Sequence, residues 1–217
     1  VTIADPFIDQ PRAAGTDTID AKGGDNVIVG DHGQIYQDGS ATAGIALEGT
    51  HVVSRIVSTF TGIGGGDRIT ATDGNNIVIG GFGADTITAD AGNHVILGDN
   101  GEAVFENGVL TSLRSIAGAT GDADTITASD GDTTIIGGAG KDGITVGKGT
   151  HVILGDTGEA RFVPGTRIIN GVSVPVPVLT SIKTTDDEAA VGDDDSIETG
   201  DGNVTVIGGA GADKNTL

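Results

Sequence analysis

The sequence predicts an all-β fold, a parallel β-roll or β-helix solenoid wound in coils of about 18 residues. Three features predict it: glycine recurring at fixed offsets beside Asp and Asn, a near-absence of aromatic side chains, and a pattern that returns every nine residues. Glycine contributes 39 of 217 residues, far above an average of about 7%, and its regular placement speaks against disorder. With six aromatic residues and no Trp, Met or Cys, the interior has to be made of Ile, Val, Leu and Thr in thin stacked layers.

The elements follow from self-comparison. One copy of the pattern runs from Asp67 through Ile69, then Asp73-Gly74 and Val78, then Gly80-Gly81-Phe82-Gly83-Ala84-Asp85-Thr86-Ile87, then His94, Ile96, Asp99 and Glu102. A second runs from Asp124 through Gly137-Gly138-Ala139-Gly140-Lys141-Asp142 to His151, Asp156 and Glu159. A third starts at Asp195-Ser196-Ile197 and ends at Asp213, and the stretch from Asp17 to Gln34 matches the last part of a unit. Asp67 and Asp85, Asp124 and Asp142, and Asp195 and Asp213 are each 18 residues apart, with a turn halfway at Asp73-Gly74, Asp130-Gly131 and Asp201-Gly202. Each nine-residue unit reads as a glycine turn plus a short strand, and two units make one coil. Ile69, Val78, Ile87 and Ile96 then point inward. Parallel strands about 4.8 Å apart set Asp85 over Asp67.

These nonapeptides resemble the repeats-in-toxin (RTX), or hemolysin-type calcium-binding, family, whose unit is Gly-Gly-x-Gly-x-Asp-x-(large apolar)-x. Residues 80–88 and 137–145 match every fixed position. The third copy continues Lys214-Asn215-Thr216 after its Asp and departs from the pattern there. Asn76, His94, Thr133, His151 and Val204 stand at the Asp position of the alternate turns.

A longer period of 57 residues separates Asp67 from Asp124 and His94 from His151. This reads as three coils, the third stretched, with Val109–Leu113, Val178–Ile182 and Val53–Ile56 as its strands and Asn107-Gly108 and Asn170-Gly171 as wide turns. The whole chain, 1–217, is expected to be a single solenoid segment: a partial repeat 1–61, repeats 62–118 and 119–189, and a partial repeat 190–217. The stretch 162–178, with three prolines, reads as a surface insertion. Absence of Met and the partial repeats at both ends lead us to expect a segment of a larger protein.

Stacked carboxylates repel, and a hard cation between them reverses the sign of that interaction. Calcium accepts six to eight oxygens in irregular geometry, whereas magnesium demands a tight octahedron and zinc favours Cys or clustered His. The expected ligands are Asp67, Asp85, Asp124, Asp142, Asp195 and Asp213. Asp99, Glu102, Asp156 and Glu159, in the turns one coil on, are expected to cap the ion beneath Asp85 or Asp142. Asp31, with Gln34, is placed beneath Asp17 as a site with one carboxylate fewer. The alternative for all of them is a solvated turn former. His94 and His151 are too far apart to share an ion and read as structural.

The charge of −20, from 31 acidic and 11 basic residues, excludes a nucleic-acid footprint, and no apolar run approaches the roughly 18 residues of a membrane span. Gly-x-Ser-x-Gly, His-Glu-x-x-His and phosphate-loop motifs are absent, and a thin solenoid offers little concavity, so no catalytic residue is assigned. The resemblance implies calcium as cofactor, export by a bacterial type I system, folding outside the cell and an extracellular or surface location. The leading expectation is a rigid spacer in an adhesin, surface-layer or matrix protein, stacked on neighbouring repeats of the same chain. A second is the export and folding region of a secreted enzyme or toxin. A third, binding of ice or glycan by flat strand faces, needs regular Thr rows, and Thr86/Thr88 with Thr125/Thr127 are interrupted in sequence.

Overall fold

The computed structural model describes residues 15–38, 46–48, 51–116, 121–185 and 193–217. Strands build three stacked sheets. The first has seven parallel strands in chain order: Thr18–Ala21, Arg68–Ala71, Thr86–Ala89, Thr125–Ala128, Gly143–Val146, Ser196–Thr199 and Lys214–Thr216. The second has six, also parallel and in chain order: Val27–Val29, Ile77–Gly81, His94–Asp99, Thr133–Gly138, Gly149–Asp156 and Gly202–Ile207. The chain alternates between them, one strand in each per coil, as the solenoid reading requires. Lys214–Thr216 pairs with Ser196–Glu198 despite its departure from the repeat.

The third sheet corrects the reading of a stretched coil. It is antiparallel and consists of hairpins: Gly33–Asp38 with His51–Ser58, Gly101–Glu106 with Val109–Ser115, and Gly158–Ile169 with Val172–Thr184. Asn107-Gly108 and Asn170-Gly171 are its two-residue turns, with φ of 49° and 77° in one and 51° and 81° in the other. Both residues of such a turn sit in the left-handed region that Asn and Gly tolerate, and its twist matches that of the flanking strands. They are therefore the tightest connections available, not wide turns. The period of 57 is two 18-residue coils plus 21 residues between Asp99 and Gly121, an interval that holds the hairpin Gly101–Glu106 with Val109–Ser115. Residues 162–178 are exposed along most of their length, yet they are paired strand, with Pro164 opposite Pro177. The expected repeat boundaries near 118 and 189 lie outside the described residues.

Two apolar layers result. Ile69, Ile87, Ile126, Ile144 and Ile197 of the first sheet meet Val78, Ile96, Ile135 and Ile153 of the second. The other face of the second sheet, with Ile77, Ile79, Leu97, Ile136 and Leu154, packs on Ile56, Ala103, Leu110, Leu113, Ala160 and Phe162 of the third. The first sheet thus alternates, as in Thr125-Ile126-Thr127-Ala128, because its outer face is in water. The second reads as unbroken apolar runs, Ile77-Val78-Ile79 and Val152-Ile153-Leu154, because it is covered on both sides. On the outer face Thr70, Thr88, Thr127 and Thr145 form one continuous row. The interruption seen in sequence is looped out into the third sheet.

Ile96 is fully buried between the first two sheets, while Ile168 on the long hairpin is 67% exposed. Ile96→Ala is expected to lower stability by about 2–5 kcal/mol, and Ile168→Ala by less than about 0.5 kcal/mol. Denaturant unfolding of the two variants under identical conditions checks this.

Candidate metal-binding edge

Where the second sheet hands the chain back to the first, a single Asp from each coil forms a ladder. The backbone N–H of Asp17 donates to Asp67 Oδ1 at 2.7 Å, that of Asp67 to Asp85 at 2.6 Å, and that of Asp85 to Asp124 at 2.7 Å. The series continues from Asp124 to Asp142 at 2.8 Å, Asp142 to Asp195 at 2.8 Å and Asp195 to Asp213 at 3.1 Å. Residues separated in sequence by 18, 39 or 53 positions are single steps of one row.

One oxygen of each carboxylate is consumed by that bond. The other, Oδ2 of Asp67, Asp85, Asp124, Asp142 and Asp195, is buried and has no hydrogen-bond partner. Each lies in a cradle that a side chain would fill. A Cβ on Gly80 would stand 2.3 Å from Asp85 Oδ2 and 2.2 Å from the Gly98 carbonyl oxygen of the next coil. On Gly98 it would meet Asp124 Oδ2 at 2.2 Å and the Gly137 carbonyl at 2.4 Å, and Gly30, Gly137 and Gly155 repeat the arrangement. A carboxylate oxygen and a carbonyl oxygen thus line the same small space at every level.

Electrostatics record the strain. Burial, with mutual repulsion added, pushes Asp85 up to about 7, and burial with the neighbouring Asp156 and Asp213 does the same to Asp195. Asp124, buried and facing Asp99 and Asp142, rises to about 10, and Asp142, buried near Asp195, Asp99 and Asp156, to about 9. Asp67 is raised by burial and by Asp31 and Asp17. A carboxylate placed where only its neutral form is comfortable is a site lacking positive charge.

Asp31, Asp99 and Asp156 stand at the last position before each hairpin leaves. Asp99 pairs with Gly81 and Asp156 with Gly138, glycines with φ of 128° and 134° in the uninterrupted turns. Their side chains reach forward: Asp31 accepts from the Phe82 N–H at 2.7 Å, Asp99 from Ala139 at 2.6 Å and Asp156 from Ala210 at 2.5 Å. Asp99, raised to about 7 mainly by burial, therefore stands between the levels of Asp124 and Asp142. This relocates two expectations. Asp99 reaches away from Asp85, into the interval between Asp124 and Asp142, Asp156 reaches away from Asp142, into the interval between Asp195 and Asp213, and Asp31 lies between the levels of Asp67 and Asp85 instead of beneath Asp17. The cause is the hairpin, which returns Asp67, Asp124 and Asp195 to the same coils as Asp31, Asp99 and Asp156.

Glu102 and Glu159 are elsewhere. They begin the hairpins and occupy a charged row across the third sheet, where Glu102 faces Arg114 and Glu159 faces Arg114 and Lys183. Glu102 is bonded to Arg55 and, at 2.6 Å, to Arg114 Nε; Glu159 pairs with Arg161 at 2.7 Å and Lys183 at 3.4 Å. Burial raises both carboxyls, but these cations outweigh it and hold them below the ordinary range. Gln34 is in the third sheet as well. Chain direction changes within two residues of Asp99 and Asp156, which carries the glutamates off the acidic edge.

The buried row of the opposite edge is neutral, while Asp73, Asp90, Asp130 and Asp201 of its turns are exposed. His94 donates from Nε2 to the Asp90 carbonyl at 2.8 Å, with Nδ1 facing Asn76; His151 donates from Nε2 to Gly147 at 3.1 Å and accepts the Thr133 hydroxyl on Nδ1 at 2.8 Å. Burial lowers the pKa of both rings. Among the described residues no three His, Cys, Asp or Glu side chains converge on one point, so a cation on the acidic edge needs backbone carbonyls in its shell. An all-oxygen set of buried carboxylates and glycine carbonyls, without nitrogen or sulfur, fits calcium.

A family model for the RTX calcium-binding nonapeptide repeat matches residues 13–34, 61–101, 118–150 and 190–214, together more than half of the chain. The unmatched intervals hold the hairpins of the third sheet. No curated protein and no solved structure matches the chain.

Without metal, acid should stabilise this fold. The ladder carboxyls have folded pKa values of about 7 to about 10 against 3.8 unfolded. Their contribution is complete below the unfolded value and is lost as pH rises through the folded ones. The two depressed histidines act oppositely below about 6.5, but are outnumbered. In chelator, where the chain is expected to be unfolded at neutral pH and above, β-structure should be recovered as the pH is lowered to 5 and the ladder carboxyls take up protons; a circular-dichroism signal independent of pH would contradict the electrostatic reading.

Proposed function

The chain belongs to the RTX calcium-binding nonapeptide repeat family, and from that premise we propose that it is a calcium-stiffened, non-catalytic spacer in a secreted or cell-surface protein such as an adhesin, surface-layer or matrix protein. One observation carries the proposal: a row of buried carboxylate oxygens without hydrogen-bond partners, from Asp67 to Asp195, that passes uninterrupted beneath two hairpin insertions. When bound, calcium supplies the positive charge and takes the oxygens that nothing else in the fold takes. Asp67, Asp85, Asp124, Asp142 and Asp195 hold it, with carbonyls of the glycine turns.

Magnitudes favour dependence on the ion. Two like charges at strand spacing repel by roughly 3 kcal/mol at an effective dielectric near 20, comparable to the roughly 1.5–3 kcal/mol gained by burying one Ile. Each coil adds about one such repulsion for every two isoleucine-sized side chains, and the remainder must cover backbone ordering. A chain of this kind stays unfolded at cytosolic calcium and folds at the millimolar level outside cells, where such modules bind at about 10⁻⁴–10⁻³ M. That switch suits a protein exported unfolded and required to be stiff on arrival.

Chelation is therefore expected to abolish the far-ultraviolet β-signal, and millimolar calcium to restore it; identical spectra in both would sink the proposal. Pulling on the chain should show a resistant body in calcium and a compliant coil in chelator. Asp85→Asn with Asp142→Asn is expected to reduce bound calcium, whereas His94→Gln with His151→Gln should leave stoichiometry unchanged, since those imidazoles are neutral and already bonded. Calcium uptake measured by equilibrium dialysis separates the two pairs.

A further inference from the structure

We propose that the calcium sites alternate between two classes along the ladder, the split turns supplying an additional carboxylate to every other interval, and that those intervals fill first. The inference rests on the calcium reading above and adds to it the order of loading.

Each ladder side chain reaches back to the N–H of the Asp one coil earlier. Every interval therefore contains the carboxylate of its later coil: Asp67, Asp85, Asp124, Asp142, Asp195 and Asp213 in turn. Asp31, Asp99 and Asp156 reach the other way, to Phe82, Ala139 and Ala210, which belong to the turns that end in Asp85, Asp142 and Asp213. An additional carboxylate thus enters the intervals Asp67/Asp85, Asp124/Asp142 and Asp195/Asp213. The intervals Asp17/Asp67, Asp85/Asp124 and Asp142/Asp195 receive none.

The doubled intervals are built to admit the extra group. Asp99 is 1% exposed, and its Oδ1 is buried without a hydrogen-bond partner, as is Oδ1 of Asp31. Glycine stands on each side of these carboxylates: a Cβ on Gly121 would come within 1.8 Å of Asp99 Oδ2 and 2.3 Å of the Ala139 carbonyl, and one on Gly138 within 2.3 Å of Asp99 Oδ2. Gly64 and Gly81 enclose Asp31 in the same way, at 2.0 and 2.5 Å. Carboxylate and carbonyl oxygens again share the space, with one more negative charge than in the intervening levels.

An additional carboxylate brings further negative charge and a further oxygen to a divalent cation, and affinity at such sites follows the charge of the ligand set. A separation of at least about tenfold between the classes is expected. Calcium then clasps each two-coil unit to itself, at the root of its hairpin, before it joins one unit to the next.

Calorimetric titration of the whole chain with calcium chloride tests this. The expected isotherm has a tight phase of three equivalents and a weaker one of three, one for each of the six rungs. Asp99→Asn keeps an acceptor for the Ala139 N–H while removing the charge, and should cut the tight phase to two equivalents and spare the weak one. If Asp99→Asn does not fold, Asp31→Asn, at a half-buried position, makes the same comparison. A single phase in the parent chain, or loss from the weak phase in Asp99→Asn or Asp31→Asn, overturns the alternation while leaving calcium binding intact. No calcium uptake at all would overturn the functional proposal as well.

Discussion

A buried carboxylate oxygen with no hydrogen-bond partner is among the least favourable groups a protein can contain, and here the ladder row alone holds five among the described residues. The arrangement follows from register. Pairing Arg68 with Thr86, Thr86 with Thr125 and Thr125 with Gly143 sets the preceding Asp of each strand in line. A slip of two residues in any strand would preserve its inward face but break the Asp bond to the coil before it. The same N–H···Oδ1 contacts that create the electrostatic cost therefore also fix the alignment. The hydrophobic layers alone leave that register less determined, because Ile stacks on Ile in several offsets.

The hairpins are tolerated because they leave and return at one point. Between Asp99 and Gly121 the chain makes a complete excursion, yet Asp122 and Ala123 still meet the next coil's Gly140 as Gly65 and Gly66 meet Gly83. Length can vary from repeat to repeat without touching the ladder, and it does: the last hairpin has strands of 12 and 13 residues, the middle one 6 and 7. Neighbouring hairpins pair over three residues only, near their roots, as in Ser112–Arg114 with Glu159–Arg161. Beyond that they diverge, and Pro164, Pro175 and Pro177 mark the long one as a place where backbone donors are withheld.

Most of the acidic edge could be read in the sequence, since an 18-residue spacing between Asp residues in glycine turns has one simple structural meaning. The third layer was harder. Its clearest signals were Asn-Gly between apolar alternations, at 107–108 and 170–171, and the unbroken triplets Val95-Ile96-Leu97 and Thr134-Ile135-Ile136, which imply a sheet covered on both faces. A period of 57 lies close to three coils of 18, and that near-coincidence concealed a two-coil unit with an insertion. Glu102 and Glu159 were misplaced for the same reason. Nothing local distinguishes a turn glutamate from one facing arginines on the adjacent strands, because Arg55 and Arg114 lie 47 and 12 residues from Glu102 in the chain.

The two edges of the solenoid divide the work of folding. On the neutral edge Asn76, His94, Thr133 and His151 satisfy one another and the glycine-turn carbonyls without any ion. Their register matches that of the acidic edge coil for coil. The second sheet can therefore be aligned by neutral hydrogen bonds while the carboxylates still repel. Placing buried Asp on both edges would remove that source of order and double the repulsion; placing it on neither would remove the electrostatic cost that a cation relieves. Asymmetry permits one edge to guide the coils together and the other to make their association conditional.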